Sequence, residues 1–260
     1  MLKNKIDKAT SFIKDITETA NKDLLLGLSG GIDSAVALAL AIKAVGPKRI
    51  KVVMLPYKEN SNLLDAVALA NSYGVEFEVI SIADIVEAFN CSDEYRKANI
   101  MARVRMTILY ERAMKNNTLV LGTTNLSEYY LGYFTKWGDG AVDLEPLMSM
   151  TKTEVFEIAK LLGLPSIFLS KKPSADLWEG QTDEDEMGLK YSEVDKIIDQ
   201  YYDQFDSMNY VERFEDFLQL KIDNTSAFYK DKHDTLTGMR KRYLNSLHKI
   251  NPIPSNLREL

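Results

Sequence analysis

Cysteine is almost missing from this chain: Cys91 is the only one in 260 residues. No internal disulfide can form, and a cysteine-ligated zinc site is disfavoured by the same count. A basic excess is also missing. Lys and Arg number 32 against 38 Asp and Glu, for a net charge of -6, so the overall electropositive footprint of a nucleic-acid binder is lacking. No apolar run approaches the roughly 20 residues a membrane-spanning helix needs. The N-terminal stretch MLKNKIDKATSFIKDI is charged and amphipathic, without the apolar core of a secretory signal. Internal repeats and low-complexity tracts are absent as well. What remains is the expectation of a cytoplasmic globular protein. Its 45% hydrophobic and 27% charged residues suffice to bury a full core, in one large α/β domain or two small ones.

The pattern along the chain alternates. Ile6, Ala9, Phe12, Ile13 and Ile16 recur at helical spacing in residues 3–20. DLLLGL (23–28), KVVML (51–55), EFEVISI (76–82) and TLVLGT (118–123) read as strands. Helices are predicted over 33–45, ended by Gly46-Pro47, over 61–74, closed by Gly74, and over 93–115. Strand and helix in alternation specify a doubly wound parallel sheet with helices on both faces, and continuous apolar strands suit its interior. The polar run KKPSADLWEGQTDEDEMGLK (171–190) reads as a loop able to order over a ligand. After residue 191 the chain reads as a helical C-terminal extension. Its aromatics Tyr201, Tyr202, Phe205, Tyr210, Phe214, Phe217, Phe228 and Tyr229, at near-helical spacing, read as packing or subunit contact.

The stretch LGLSGGIDSAV (26–36) carries chemistry. A tight turn from strand to helix leaves backbone N–H groups pointing outward at the positive end of the helix dipole, which makes an anion site. Gly30 and Gly31 let the backbone approach a ligand closely. Ser29 and Ser34 add hydroxyls, and Asp33 can cap the helix or bind a metal that bridges phosphates. The lysine-bearing Walker loop is not the match, because GxxxxGK[ST] is absent.

SGGxDS after a first strand resembles the pyrophosphate-binding loop of the ATP pyrophosphatase superfamily, whose members activate a substrate as an adenylate. Three further segments resemble the NAD synthetase family in particular. They are LGTTNLSEYYLGYFTKWGDGAVDLEPL (121–147), NIMARVRM (99–106), and MTKTEV (150–155) followed by KKPSADLWEGQTDEDEMG (171–188). SLHKINPIP (246–254) adds a His-Lys pair before a proline. The resemblance covers roughly residues 5–200 and the last twenty, and treats 1–260 as a single synthetase domain.

The resemblance implies a Rossmann-like fold of the ATP pyrophosphatase type and a ligase. Deamido-NAD would be amidated by ammonia to NAD through an acyl-adenylate, with release of AMP and pyrophosphate. It implies ATP contacts at Gly27, Leu28, Ser29, Gly30, Gly31, Ile32, Asp33, Ser34, Thr123, Lys152 and Ser174. It implies deamido-NAD contacts at Arg103, Lys136, Asp143, His248 and Lys249. Asp33 and Glu128 would hold Mg²⁺, Lys152 would meet departing phosphate charge, and Asp139 would guide ammonia. Each has a plainer reading: an N-cap for Asp33, a solvated helix residue for Glu128, a surface lysine for Lys152, turn and cap residues for Thr123 and Ser174, an Asx-turn for Asp139. Cys91 is expected to be an unreactive thiol, and the synthetase match leaves no room for a glutaminase domain, so free ammonia is the expected donor. A homodimer is also implied, with the N-terminal helix and the 93–115 helix as its candidate surfaces; neither nucleic acid nor membrane is an expected partner. Two rivals stand beside this reading: another amidating or thiolating ATP pyrophosphatase, and a nucleotide sensor on the same fold.

Overall fold

A computed structural model describes residues 2–58, 61–174, 180–203, 214–223 and 230–250. The elements in chain order are α1 (Leu2–Ala20), β1 (Asp23–Gly27), α2 (Ile32–Val45), β2 (Ile50–Met54), α3 (Ser61–Tyr73), β3 (Glu76–Val79), α4 (Ala83–Glu87), α5 (Glu94–Asn116) and β4 (Thr118–Leu121). There follow α6 (Leu126–Leu131), α7 (Lys152–Leu161), α8 (Ser166–Ser170), α9 (Asp183–Met187), α10 (Tyr191–Asp203), α11 (Phe214–Asp223) and α12 (Lys230–Ile250). Packing divides them into two compact units. The first comprises residues 1–126 and 134–187, the second 127–133 and 188–260.

The first unit is built on a parallel sheet of order β3-β2-β1-β4. Leu24 of β1 registers with Ile50 on one side and Leu119 on the other. Alternation across β1 feeds two cores. Leu24 and Leu26 face α1, α2 and α7 with Ile13, Val36, Leu40 and Ile158, while Leu25 joins Val53, Val120, Ile82 and Met101 on the α4–α5 face. Burying each such leucine contributes about 1.5–3 kcal/mol. Because both sheet faces are covered, the strands read as unbroken apolar runs.

Helix α2 (IDSAVALALAIKAV) is buried almost all round, since Ser34 and every residue from Ala35 to Ala41 are nearly inaccessible. Its alternating alanines put small side chains on more than one face of the helix. α1 buries the stripe Ile6, Ala9, Ile13 and Thr17 in the same core. Of the N-terminal helix proposed as a contact surface, only Phe12 among its large apolar side chains stays markedly exposed. Asp93 caps α5 by accepting the Arg96 N–H at 2.7 Å, and Asn117, left-handed at φ 54°, ends it.

The strand read over 76–82 is shorter than expected, yet its pairing runs on. Ile80 N and Ile82 N donate to Met54 O and Pro56 O at 2.9 and 3.0 Å before α4 begins, a helix too short for its period to show in the sequence. Cys91 lies in the segment joining α4 to α5.

The second unit is helical. Tyr201 and Tyr202 of α10 and Phe214 and Phe217 of α11 pack as rings 5.0–6.2 Å apart, so these aromatics do serve packing. Phe205, Tyr210, Phe228 and Tyr229 lie outside the described residues. No described helix is long and apolar enough to cross a membrane.

Candidate active site

The strand order locates the site before any side chain is considered. From β1 the chain crosses to β2 on one side, and β4 returns on the other. Connections therefore diverge at the carboxyl ends of β1 and β4, the crevice where open α/β sheets bind ligands. Two loops line it, 28–31 after β1 and 122–125 after β4.

The first loop is held by its own polar atoms. Leu28 N extends the sheet by donating to Val53 O at 3.0 Å. Ser34 Oγ donates to Gly31 O at 3.0 Å and accepts from Ser29 N at 3.3 Å, while Ser29 Oγ accepts from Gly31 N at 3.2 Å. Gly30 sits at φ +82°, and a Cβ there would lie 2.1 Å from the Asn62 carbonyl oxygen. Glycine is required for that approach and that dihedral. Gly31 is the N-cap of α2, so the helix's first amides lack intrahelical acceptors and its positive end faces the crevice.

Asp33, in the first turn of α2, joins this loop to the second. Asn125 Nδ2 donates to its Oδ1 at 2.9 Å, and Lys152 Nζ donates to its Oδ2 at 2.6 Å. The Lys152 side chain is 3% exposed and that of Asp33 18%. Lys152 is thus no surface lysine. It is the first residue of α7, where a cation opposes the helix dipole. Asp33 offsets that penalty, and the Thr151–Glu154 capping box fixes the turn. Lys5 Nζ in turn holds Glu154 at 2.5 Å.

In the second loop Thr123 is half-buried and Asn125 wholly buried. Below it the Glu145 carboxylate accepts Thr124 N at 3.0 Å and fills the place a Gly122 side chain would take, 2.3 Å from the ideal Cβ. Ser174 is half-buried and stands immediately before residues 175–179, which lie outside the described residues together with that part of the 171–190 loop. Past them, α9 orders the rest of that loop, with Asp183 buried and its N–H donating to Pro173 O at 2.9 Å.

A second group gathers at α5. Arg103 is exposed and its Nε donates to Lys136 O at 3.3 Å, while Lys136 Nζ lies 5.4 Å from the centre of the exposed Trp137 ring. Asp139 Oδ1 accepts Thr135 N at 2.9 Å, which closes the 135–139 turn from its far end; the donor precedes the acid, so this bond is not the expected Asx-turn. Asp143 Oδ2 accepts Val120 N at 2.7 Å and its Oδ1 accepts the Tyr110 hydroxyl at 3.2 Å. Asp143 therefore satisfies the outer edge of β4. Burial, reinforced by the Asp143 charge, pushes the Tyr110 phenol up to about 12.

Glu128, His248 and Lys249 belong to the second unit. Glu128 is half-exposed in the first turn of α6. His248 is exposed with Nδ1 3.0 Å from Asn245 O, and Lys249 Nζ donates to Gly132 O at 2.7 Å. Asn125, Glu145 and Asp183 were not singled out from sequence. The first two stand inside the 121–147 motif, and a polar residue directly after a buried strand was the signal available for Asn125.

The sequence model of the NAD synthase family matches residues 5–234. A relative from Thermococcus kodakarensis, named NH3-dependent NAD+ synthetase, is 49% identical over 199 residues, 74% of this chain and 78% of its own. One of the same name from Methanosarcina mazei is 42% identical over 208 residues, 76% of this chain and 81% of its own. Among solved structures, an NMN synthetase from Francisella tularensis superposes with a TM-score of 0.81 at 34% identity, each chain covered to 99%. A glycine turn at the switch point, a buried Asp-Lys pair beside it and a match spanning most of the sequence agree, and the chain belongs to the NAD synthase family.

Proposed function

We propose that this protein amidates deamido-NAD with ammonia at the expense of ATP, as an NH3-dependent NAD+ synthetase does. The observation that carries the reading is the buried Asp33–Lys152 pair beside the Ser29–Ser34 turn. One carboxylate, one lysine and outward amides at a helix N-terminus are the parts a polyphosphate requires.

The nicotinate carboxylate oxygen attacks the α-phosphorus of ATP, and the bond to the pyrophosphate oxygen breaks. The amides of 29–34 and Lys152 receive the departing charge; Gly27, Leu28, Thr123 and Ser174 complete the ATP contacts by their place in the motif. Ammonia then attacks the carbonyl carbon of the acyl-adenylate, AMP leaves, and a proton is lost from nitrogen. Asp139 is the acid proposed to guide that nitrogen. Arg103, Lys136, Asp143, His248 and Lys249 are proposed to bind the dinucleotide, the guanidinium through a forked contact with phosphate or carboxylate. No covalent enzyme intermediate is invoked; positioning and charge stabilisation supply the acceleration.

Mg²⁺ suits this donor set. It is held by one or two carboxylates plus substrate phosphates and water rather than by an all-protein cage. Among the described residues no cluster of three or more His, Cys, Asp or Glu side chains forms such a cage. Asp33 keeps lone pairs beyond those used by Asn125 and Lys152, and Glu128 is proposed as the second carboxylate. Bound there, the ion would neutralise phosphate charge.

A homodimer in the cytoplasm is proposed as the working form. Its support is two exposed apolar side chains at opposite ends of α5, Tyr95 and Met114, 63% and 87% exposed. One alternative substrate has a specific basis: the full-length similarity to an NMN synthetase points to the mononucleotide counterpart of deamido-NAD. Purified protein given ATP, Mg²⁺, ammonium and either deamido-dinucleotide or deamido-mononucleotide decides between them. Equal amounts of NAD and AMP, formed only with ammonium, support the first reading. Faster turnover of the mononucleotide replaces it with the second, and absence of ATP cleavage with both leaves a nucleotide sensor.

A further inference from the structure

We infer that the helical unit acts as a clasp that fixes the carboxylate of Glu128, with Asp195 and Tyr130 as positioning residues. The inference rests on the proposed role of Glu128 in the ATP site. Residues 127–133 group with the C-terminal helices, although the residues flanking them in sequence belong to the sheet unit. At six residues α6 is far too short to hold itself. Its geometry must come from what grips it.

Leu126, the first residue of α6, belongs to the sheet unit and its N–H donates to Met150 O at 2.8 Å; the rest of the turn is held by three grips inside the second unit. Ser127 Oγ donates to Asp195 Oδ1 of α10 at 2.5 Å, with Ser127 0% and Asp195 3% exposed. Burying a carboxylate is costly unless its hydrogen bonds are met, so Asp195 is poorly explained as filler. Tyr130 lies among Tyr201, Tyr202, Phe214 and Tyr243, with ring centres 4.2–6.3 Å away, and its hydroxyl is 3.0 Å from that of Tyr202. Gly132, at φ +60°, has no room for a side chain: a Cβ would come 2.0 Å from Ser246 Cβ of α12. Lys249 Nζ pins the Gly132 carbonyl.

Ser127, Tyr130 and Leu131 form the buried face of the turn, while Glu128, a hundred degrees round the helix from Ser127, is left half-exposed. Sliding or rotating α6 moves Glu128 with it. The aromatic region of the C-terminal extension thereby acquires a task that core packing alone does not require.

The test compares Ser127→Ala, Asp195→Asn and Glu128→Gln with Phe217→Leu, which alters the same aromatic cluster away from Tyr130. Each purified variant is assayed for kcat, KM for ATP and deamido-NAD, the Mg²⁺ dependence of the rate, and thermal melting. Ser127→Ala and Asp195→Asn are expected to lower kcat by roughly tenfold to a hundredfold, as displacement of a reacting group by up to 1 Å does. They should also need several-fold more Mg²⁺ for half-maximal rate, with KM for deamido-NAD within about twofold. Phe217→Leu should melt earlier yet keep the parent Mg²⁺ dependence, and Ser127→Thr should restore it. If Glu128→Gln is inactive while Ser127→Ala and Asp195→Asn match the parent in kcat and Mg²⁺ dependence, the clasp is wrong and the role of Glu128 stands. If Glu128→Gln retains full activity, the role of Glu128 falls and the clasp falls with it.

Discussion

Replacing Asp33 by Asn separates what the Asp33–Lys152 pair does for stability from what it does for catalysis. The substitution keeps the shape and an amide oxygen but removes the charge opposite an ammonium whose side chain is only 3% exposed. Breaking a buried ion pair from one side costs about 3–5 kcal/mol, because the remaining charge is left without compensation. The 18% exposure of Asp33 and the amide oxygen that still accepts one bond place the cost at the lower end, about 3 kcal/mol. At about 2–4 °C per kcal/mol for a chain of this size, the melting temperature should fall by roughly 6–12 °C. Lys152→Met tests the other side and should cost less, because the surviving carboxylate keeps some water and the Asn125 amide. Combining the two should recover at least half of the Asp33→Asn loss, since the uncompensated lysine is gone. Turnover should not recover: all three variants should lose NAD formation by at least about a hundredfold, as expected when a phosphate-facing charge is deleted. Calorimetry and a coupled NAD assay on the four proteins give the cycle. A double variant no more stable than Asp33→Asn would refute the electrostatic account, and a double variant with parent turnover would refute the placement of the site.

Gly30→Ala should destabilise the fold by more than about 1 kcal/mol and weaken ATP binding, because the backbone is at φ +82° and the added carbon meets the Asn62 carbonyl; denaturant melts and a nucleotide titration read both. Alkaline stability follows from Tyr110. Its folded-state phenol is raised to about 12, so its contribution is complete below the ordinary tyrosine value near 10 and is lost as pH rises through about 12. Stability should thus fall between those values less steeply in Tyr110→Phe than in the parent, with a remaining fall from Tyr73, Tyr129 and Tyr130, whose phenols burial also raises. Met114→Glu, on the exposed face of α5, should shift a dimer toward monomer in sedimentation without lowering the melting temperature of the isolated subunit.

The sheet was legible because parallel strands buried on both faces leave apolar runs that few other structures produce, as in LLLG and KVVM. The loop 28–34 was legible for a different reason: Gly-Gly between a strand and a helix has few structural uses. The short α4 was hidden because the five residues ADIVE are too few to establish a helical period. The partners of Asp33 were unreadable in a stricter sense. Asn125 and Lys152 stand 92 and 119 residues away, and only the topology brings them to one crevice. Asp195 gave no local signal, since an aspartate on a predicted helix is ordinarily solvated. Asp139 and Asp143 carried motif positions, yet their visible bonds close a turn and a strand edge, work that any acid with the right backbone neighbour performs.

The Asp33–Lys152 contact also bears on how the crevice discriminates among anions. The two charges cancel within the protein, so the crevice draws in no anion by long-range attraction from this pair. A small oxyanion arriving by itself would have to pull the ammonium away and strand the carboxylate. On the proposed Mg²⁺-dependent reading, a polyphosphate that brings its own divalent cation would supply both replacements in a single event, an anion for Lys152 and a cation for Asp33. Selection for metal-chelated nucleotide over the phosphate and sulfate that crowd a cell would then be set by counter-ion exchange, without a contact to the base.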